Sequence, residues 1–214
     1  MLPRSLIAAA AIGAATLASA SPAAAGPSRL ADTVSTLGTA LLPKQDPACA
    51  DPETTKPFAA FGDLADYVPV PNGSFESGLD GWTPRGRVSL TDDNEPWKVG
   101  GDDHTTAAAL QDGASITSGS FCGGLEYPTV RMFARSEDRA GLMLVTVLYT
   151  GRDNLLHALP IGVQTVGGKW SPSGITLTAS GLPLLTGVKL AVSVTSLSGD
   201  VTVDDLYVDP YRRS

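Results

Sequence analysis

The stretch VKLAVSVTSLSGDVTVDDLYV (188–208) decides the fold. Over its first eight residues, Val188, Leu190, Val192 and Val194 take one parity, and Lys189, Ala191, Ser193 and Thr195 take the other. That period of two belongs to a strand with one face in a core. The run VTVDDLYV (201–208) starts the same way with Val201 and Val203, but Leu206 and Val208 fall on the opposite parity. A regular strand would flip its apolar face at Asp204-Asp205. A β-bulge is therefore predicted there, restoring the inward face and re-aiming one carboxylate. Two readings of the acids stay open: both solvated at the bulge, or half-buried and in need of a compensating charge.

Outward from this stretch, the text from Tyr67 on keeps to short β runs divided by Gly, Pro, Asp or Asn. LMLVTVLYT (142–150) is apolar on nearly both faces, as an inner sandwich strand would be. RVSL (87–90), TAAALQ (106–111), ASITS (114–118), TVRMFAR (129–135), LLHALPIGV (155–163) and ITLTA (175–179) are further strands. Eight or more short strands with almost no helical period predict a two-sheet sandwich or barrel over residues 67–214. Residues 26–66 differ, being rich in Pro, Ala and Thr without a period of two. They predict a loosely ordered extension. One short helical stripe runs through Leu30, Val34, Leu37 and Leu41, interrupted by Gly38 and ended by Pro43.

Residues 1–25 carry Arg4, then an apolar run, then Ala23-Ala24-Ala25. This is the grammar of a secretory signal peptide cleaved after Ala25, and it predicts a secreted, extracellular protein. The apolar segment from Leu6 to Ala20 is shorter than the roughly 20 residues of a spanning helix, so no membrane insertion is expected. Cleavage leaves 189 of 214 residues, enough for one domain with a core. The formal net charge of −7 becomes −8 when Arg4 leaves with the leader, which argues against nucleic acid as a partner. Cys49 and Cys122 form an even pair in an exported chain, so one disulfide is predicted, tying the extension to the body. Closing that loop contributes about 4 kcal/mol in the chain-entropy account.

Three landmarks together have a family likeness: PNGSFESGLDGW (71–82), GGKWSPSG (167–174) and VTVDDLYVD (201–209). They resemble carbohydrate-binding modules of the family 4/9 type, jelly-roll sandwiches of the galactose-binding-like superfamily. The likeness spans about Val68 to Tyr211. From CADPETTKPFAAFGD (49–63) to YVDPYRR (207–213), the chain is also similar to small exported single-domain proteins of actinomycetes. The resemblance implies an all-β jelly-roll sandwich of two antiparallel sheets. It further implies a structural calcium between an acid of the first strand, Glu76, and Asp204 or Asp205 of the last. Calcium favours carboxylates with backbone carbonyls, which loop glycines such as Gly73 and Gly78 would free to point inward.

A sugar site needs flat aromatic faces and groups that reach hydroxyls. Trp97, in the polar loop DDNEPWKVGGDDH (92–104), is the first candidate; Tyr149 and Tyr127 follow, with Arg131 and Arg135 as hydrogen-bonding partners. The other reading of Trp97 is a cap over the sandwich edge. Trp82 and Trp170 are expected as apolar plugs. With aromatics at 6% of the chain, a single glycan chain or chain end suits better than a crystalline surface. No catalytic motif is found, GxSxG and HExxH included. RSEDR (135–139) resembles the RSELR strand of certain polysaccharide lyases, but Asp138 and the following Ala140-Gly141 break the match. The expectation is a non-catalytic, monomeric module for a polysaccharide or cell-envelope glycan. The alternative is a structural or interaction protein of the envelope without sugar binding.

Overall fold

The computed structural model describes residues 42, 44, 46, 49, 53–125, 129–174 and 185–209. The leader, the stripe from Leu30 to Leu41, Tyr127 and the run at 175–179 lie outside the described residues. Within them, two antiparallel sheets form a sandwich. The first sheet runs β10 (Ser171–Pro172), β7 (Val130–Ser136), β12 (Val201–Val208), β4 (Ala107–Leu110), β3 (Val88–Thr91), with β1 (Val68–Pro69) also on β12. The second runs β2 (Trp82–Arg85), β5 (Ser115–Ser118), β11 (Leu185–Ser198), β8 (Ala140–Thr150), β9 (Leu156–Gly167), with β6 (Phe121–Leu125) also on β11. The strands around the two long runs thus fall where the alternation puts them. No helix among the described residues is long and apolar enough to cross a membrane.

The parity of β11 explains the core. Val188, Leu190, Val192 and Val194 point inward and meet Met143, Val145 and Val147 of β8, Val130, Met132 and Ala134 of β7, and Val201 and Val203 of β12. The parity shift of β12 is resolved by the predicted bulge: its register against β7 slips between Asp204 and Tyr207, and Asp205 takes a left-handed φ of 48°. After the slip, Leu206 and Val208 are again in the core. Cys49 and Cys122 are bonded, with Cα atoms 5.0 Å apart.

One expectation is corrected: the stretch around Glu76 lies in successive turns and not in a strand. Asn72 organises those turns. Its side-chain amide donates to the carbonyls of Gly78 and Asp80, its side-chain oxygen accepts from Ser77 N, and its carbonyl accepts from Trp82 Nε1 at 2.8 Å. Phe75 and Trp82 are buried together below, with ring centroids 5.2 Å apart. Gly73 is pressed so closely on the backbone at Val70 and Leu206 that a Cβ would sit 2.9 Å from a carbonyl oxygen. The acidic loop end is therefore shaped by short-range side-chain bonds that compete with a strand.

The described part of the extension, from Glu53, is built onto the outer face of the first sheet. Phe58 is fully buried and packs with Tyr67, Phe133 and Tyr207 in a second apolar cluster, with Phe61, Ala65, Val99 and Trp170 at its margin. Thr55 and Tyr67 exchange backbone hydrogen bonds of 2.8 Å. Burying a Phe side chain contributes about 1.5–3 kcal/mol, which a loose tail would forfeit.

Candidate functional site

Strand parity that sends Val130, Met132 and Ala134 into the core sends Arg131, Phe133 and Arg135 to the outer face of the first sheet. The three meet different neighbours. Arg131 is buried: its guanidinium pairs with Asp63, lies 4.1 Å over the Phe58 ring, and donates through Nε to Ser173 O at 3.1 Å. Burial works against the Asp63 charge, but hydrogen bonds from Tyr67 and Ala65, with Arg131 alongside, hold its carboxyl below the ordinary value. Arg131 thus clamps the extension to the first sheet.

Phe133 is the floor of an aromatic step. Trp97 lies 5.4 Å from it, tilted by 34°, and meets Phe61 edge-on at 4.9 Å. Trp97 still keeps 45% of its surface open to solvent. Its backbone N–H is fixed to Glu95 Oε2 at 2.6 Å. Trp97 therefore caps the face and still presents part of its indole to solvent. A groove of about 550 Å³ opens alongside, between residues 55–60 and Val99-Gly100, with Tyr207 among its lining.

Arg135 comes two residues on. Its guanidinium makes ion pairs of 2.5 Å with Asp93 and 2.6 Å with Glu137, and sits 5.7 Å from the Trp170 ring centroid. Trp170 Nε1 donates to Asp93 Oδ1 at 3.3 Å. Burial disfavours the charge of Arg135, while Glu137 and Asp93 outweigh it and raise its pKa further. Arg135 Nε is buried without a partner, as is Thr202 Oγ1 on the strand opposite. The face therefore combines one open indole with a guanidinium and two carboxylates at its edge. Sequence reasoning named Trp97 and Arg135 and expected Trp170 as an apolar plug; it packs at the margin of the second cluster and also donates to Asp93. The signal for Trp170 lay in its approach to β10, whose Ser171 pairs with Ala134 and so sets the indole beside Arg135.

Tyr149 lies elsewhere. It is on β8 of the second sheet, is only 7% exposed, and stacks on His157 at 5.5 Å, with Asp153 holding His157 Nε2 at 2.9 Å. It does not share a surface with Trp97. Burial, with Asp153 nearby, raises its pKa.

The acids accept from different backbone donors. Glu76 accepts the backbone N–H groups of Thr105 at 2.8 Å and Thr106 at 2.7 Å, clamping the approach to β4. Asp204 and Asp205 are buried, and so is Glu95, which sequence reasoning passed over. Glu95 accepts from Trp97 N and Val99 N, Asp204 from Glu95 N at 3.2 Å and Asp205 N at 2.8 Å, and Asp205 from Gly100 N at 2.9 Å. Burial first, then the neighbouring Asp205, pushes the Asp204 carboxyl up to about 8. Burial, with Glu95 as the repelling charge, pushes Asp205 up to about 6. Among the described residues no group of three or more His, Cys, Asp or Glu side chains is placed to hold a metal ion. Glu76, Asp204 and Asp205 each accept at least one backbone N–H group.

No family model matches the sequence, and no curated protein sequence matches it. Solved structures do match in fold. One is the CBM22-1–GH10 portion of endo-1,4-β-D-xylanase 10B from Clostridium thermocellum, complexed with xylohexaose. The identity is 17%, the TM-score 0.50, and the alignment covers 68% of this chain and 29% of that one. The CBM22-1 xylan-binding domain from Paenibacillus barcinonensis aligns at 15% identity and a TM-score of 0.46, over 70% of this chain and 97% of that one. A family 61 module in complex with β-1,4-galactotriose aligns at 19% and 0.36, over 66% and 96%. This chain spans less than a third of the first of these proteins. At such identities the likeness shows the fold, and the matched modules belong to families 22 and 61 and not to the family 4/9 type. The fold is that of a carbohydrate-binding-module jelly roll.

Proposed function

We propose that the protein is an exported, non-catalytic binding module that takes a soluble glycan chain or chain end on the outer face of its first sheet. One observation carries this reading. An exposed indole, Trp97, is held by Phe61 and Phe133 beside an Arg135 guanidinium that is shared between Asp93 and Glu137 and lies against Trp170. A pyranose ring offers an apolar face to stack on such an indole and a rim of hydroxyls for charged donors and acceptors. Because packing already fixes the ring, little side-chain freedom is lost on binding. Export rests on the leader-like residues 1–25.

Affinity electrophoresis through gels containing soluble xylan, mixed-linked glucan or galactan tests the reading. At least one polysaccharide should retard the protein, and Trp97→Ala and Arg135→Gln should each abolish most of the retardation. Retardation that survives both substitutions would move the site elsewhere. Free passage through every gel would favour an envelope interaction protein.

A further inference from the structure

Trp97 is held from beneath. It sits third in a β-turn that Lys98 N closes by donating to Glu95 O at 3.3 Å, with Pro96 second. Proline suits that second position because its φ is already fixed. Lys98, the next residue, takes a left-handed φ of 51°. A side chain enters that region at a cost, and the conformation persists only where its surroundings over-determine it.

The surroundings here are carboxylates. Glu95 is fully buried, and its side chain turns back under the turn to accept Trp97 N at 2.6 Å and also Val99 N. Asp204 accepts Glu95 N at 3.2 Å, and Asp205 accepts Gly100 N at 2.9 Å. In a regular strand, consecutive residues face opposite sides of the sheet. At the bulge of β12, where Asp205 has a φ of 48°, both carboxylates instead reach one loop, Asp204 at its start and Asp205 at its end. A buried N–H that lost such an acceptor would pay its full desolvation penalty. The same net fixes Val99 and Gly100, which form a wall of the groove of about 550 Å³. Gly100 lies so close on this anchor that a Cβ would collide with Asp205 Oδ1 and His104 Nδ1.

We propose that Glu95 is the positioning residue of the ligand face, anchored by Asp204 and Asp205 of the bulge, and that it holds the Trp97 indole on Phe61 and Phe133 in the orientation offered to a glycan. The assignment rests on the reading of Trp97 as the glycan platform. The parity shift of β12 then serves the surface as well as the core. Buried acids fix the backbone of the ring before any ligand arrives, so less freedom is lost on binding.

Fluorine NMR of protein labelled with 5-fluorotryptophan separates the position of the ring from ligand binding. Trp97→Phe removes one signal and so assigns it. Glu95→Gln keeps the volume of the side chain but sets an amide donor against one of the two N–H groups. It should shift and broaden the Trp97 signal while that of Trp82, in the core, stays in place. Gly100→Ala alters neither Glu95 nor Trp97, and should move the same signal by pushing the loop off Asp205. In gels holding the polysaccharide that retards the unmodified protein, Glu95→Gln should raise the dissociation constant about three- to tenfold, the cost of ordering one freed side chain.

A Trp97 signal unmoved in both variants would overturn the proposal, as would a moved signal with unchanged retardation. A Glu95→Gln protein that does not fold would also overturn it, by giving Glu95 to the fold itself. Free passage of the unmodified protein through every gel would overturn the glycan reading, and the fluorine signal would still decide what holds Trp97.

Discussion

The first sheet's outer face is covered by its own chain with rings and clamped by charge, through Phe58, Phe61 and Trp97 over Phe133 and Arg131 locked to Asp63. The second sheet's outer face offers leucines, a valine and small polar residues, with Lys189 its lone described charge on the three long strands. Both faces are parity products of the same alternation, yet only the first sets a half-open indole near an ion-paired guanidinium and a second indole. The difference teaches where recognition of a polar ligand can occur. Stacking on an exposed indole needs the first face, while the exposed large side chains of β8, β9 and β11 on the second are aliphatic.

The largest effect that would break this comparison is expected at Phe58. Phe58→Ala should cost about 3–5 kcal/mol and shift denaturant midpoints accordingly, because it empties the centre of the second cluster. A loss below about 1 kcal/mol would return the extension to a loose tail. Arg131→Met comes next, at about 2–4 kcal/mol, since it leaves Asp63 without its cation while removing the plate over Phe58. A stability unchanged by that substitution would mean that the pair is a surface contact.

The buried acids sharpen the comparison through pH. Asp204 and Asp205 hold protons more tightly in the folded state than in the unfolded chain, so between about pH 4 and pH 8 folding takes up protons. Stability is therefore greatest at the acidic end of that window and falls as pH rises through it, with a melting temperature lower by several degrees at pH 8 than at pH 5. A rising or flat profile would contradict the burial of these carboxyls. Chelator and added calcium should leave the curve in place. A calcium-dependent rise would mean that the acids regroup around an ion, and it would reverse the sign of the pH slope.

Much of this was legible in the chain. Strand β11 alternates strictly enough to be placed by parity, β8 stood out by its nearly continuous apolar run, and the bulge of β12 followed from one parity shift between Val203 and Leu206. The disulfide followed from an even pair. What was not legible depended on bonds that composition hides. Asn72 draws Glu76 out of a strand by accepting and donating at four places. Glu95 sits in a loop that looks solvated, yet its carboxylate turns back on Trp97 N and Val99 N and is buried. The packing of Phe58 and Phe61 was not legible, because the sheet face that receives them is assembled from strands far along the chain.

The smallest expected effect on stability belongs to the residue that matters most for function. Trp97→Ala should cost only about 1 kcal/mol, since nearly half of the ring already faces water. Titration of indole fluorescence with the oligosaccharide of whichever polysaccharide retards the protein is the most direct test of the central claim. The predicted result is a saturable change in the unmodified protein that disappears in Trp97→Ala at an almost unchanged melting temperature. An identical titration in Trp97→Ala, or no fluorescence change with an oligosaccharide shown to bind, would contradict it.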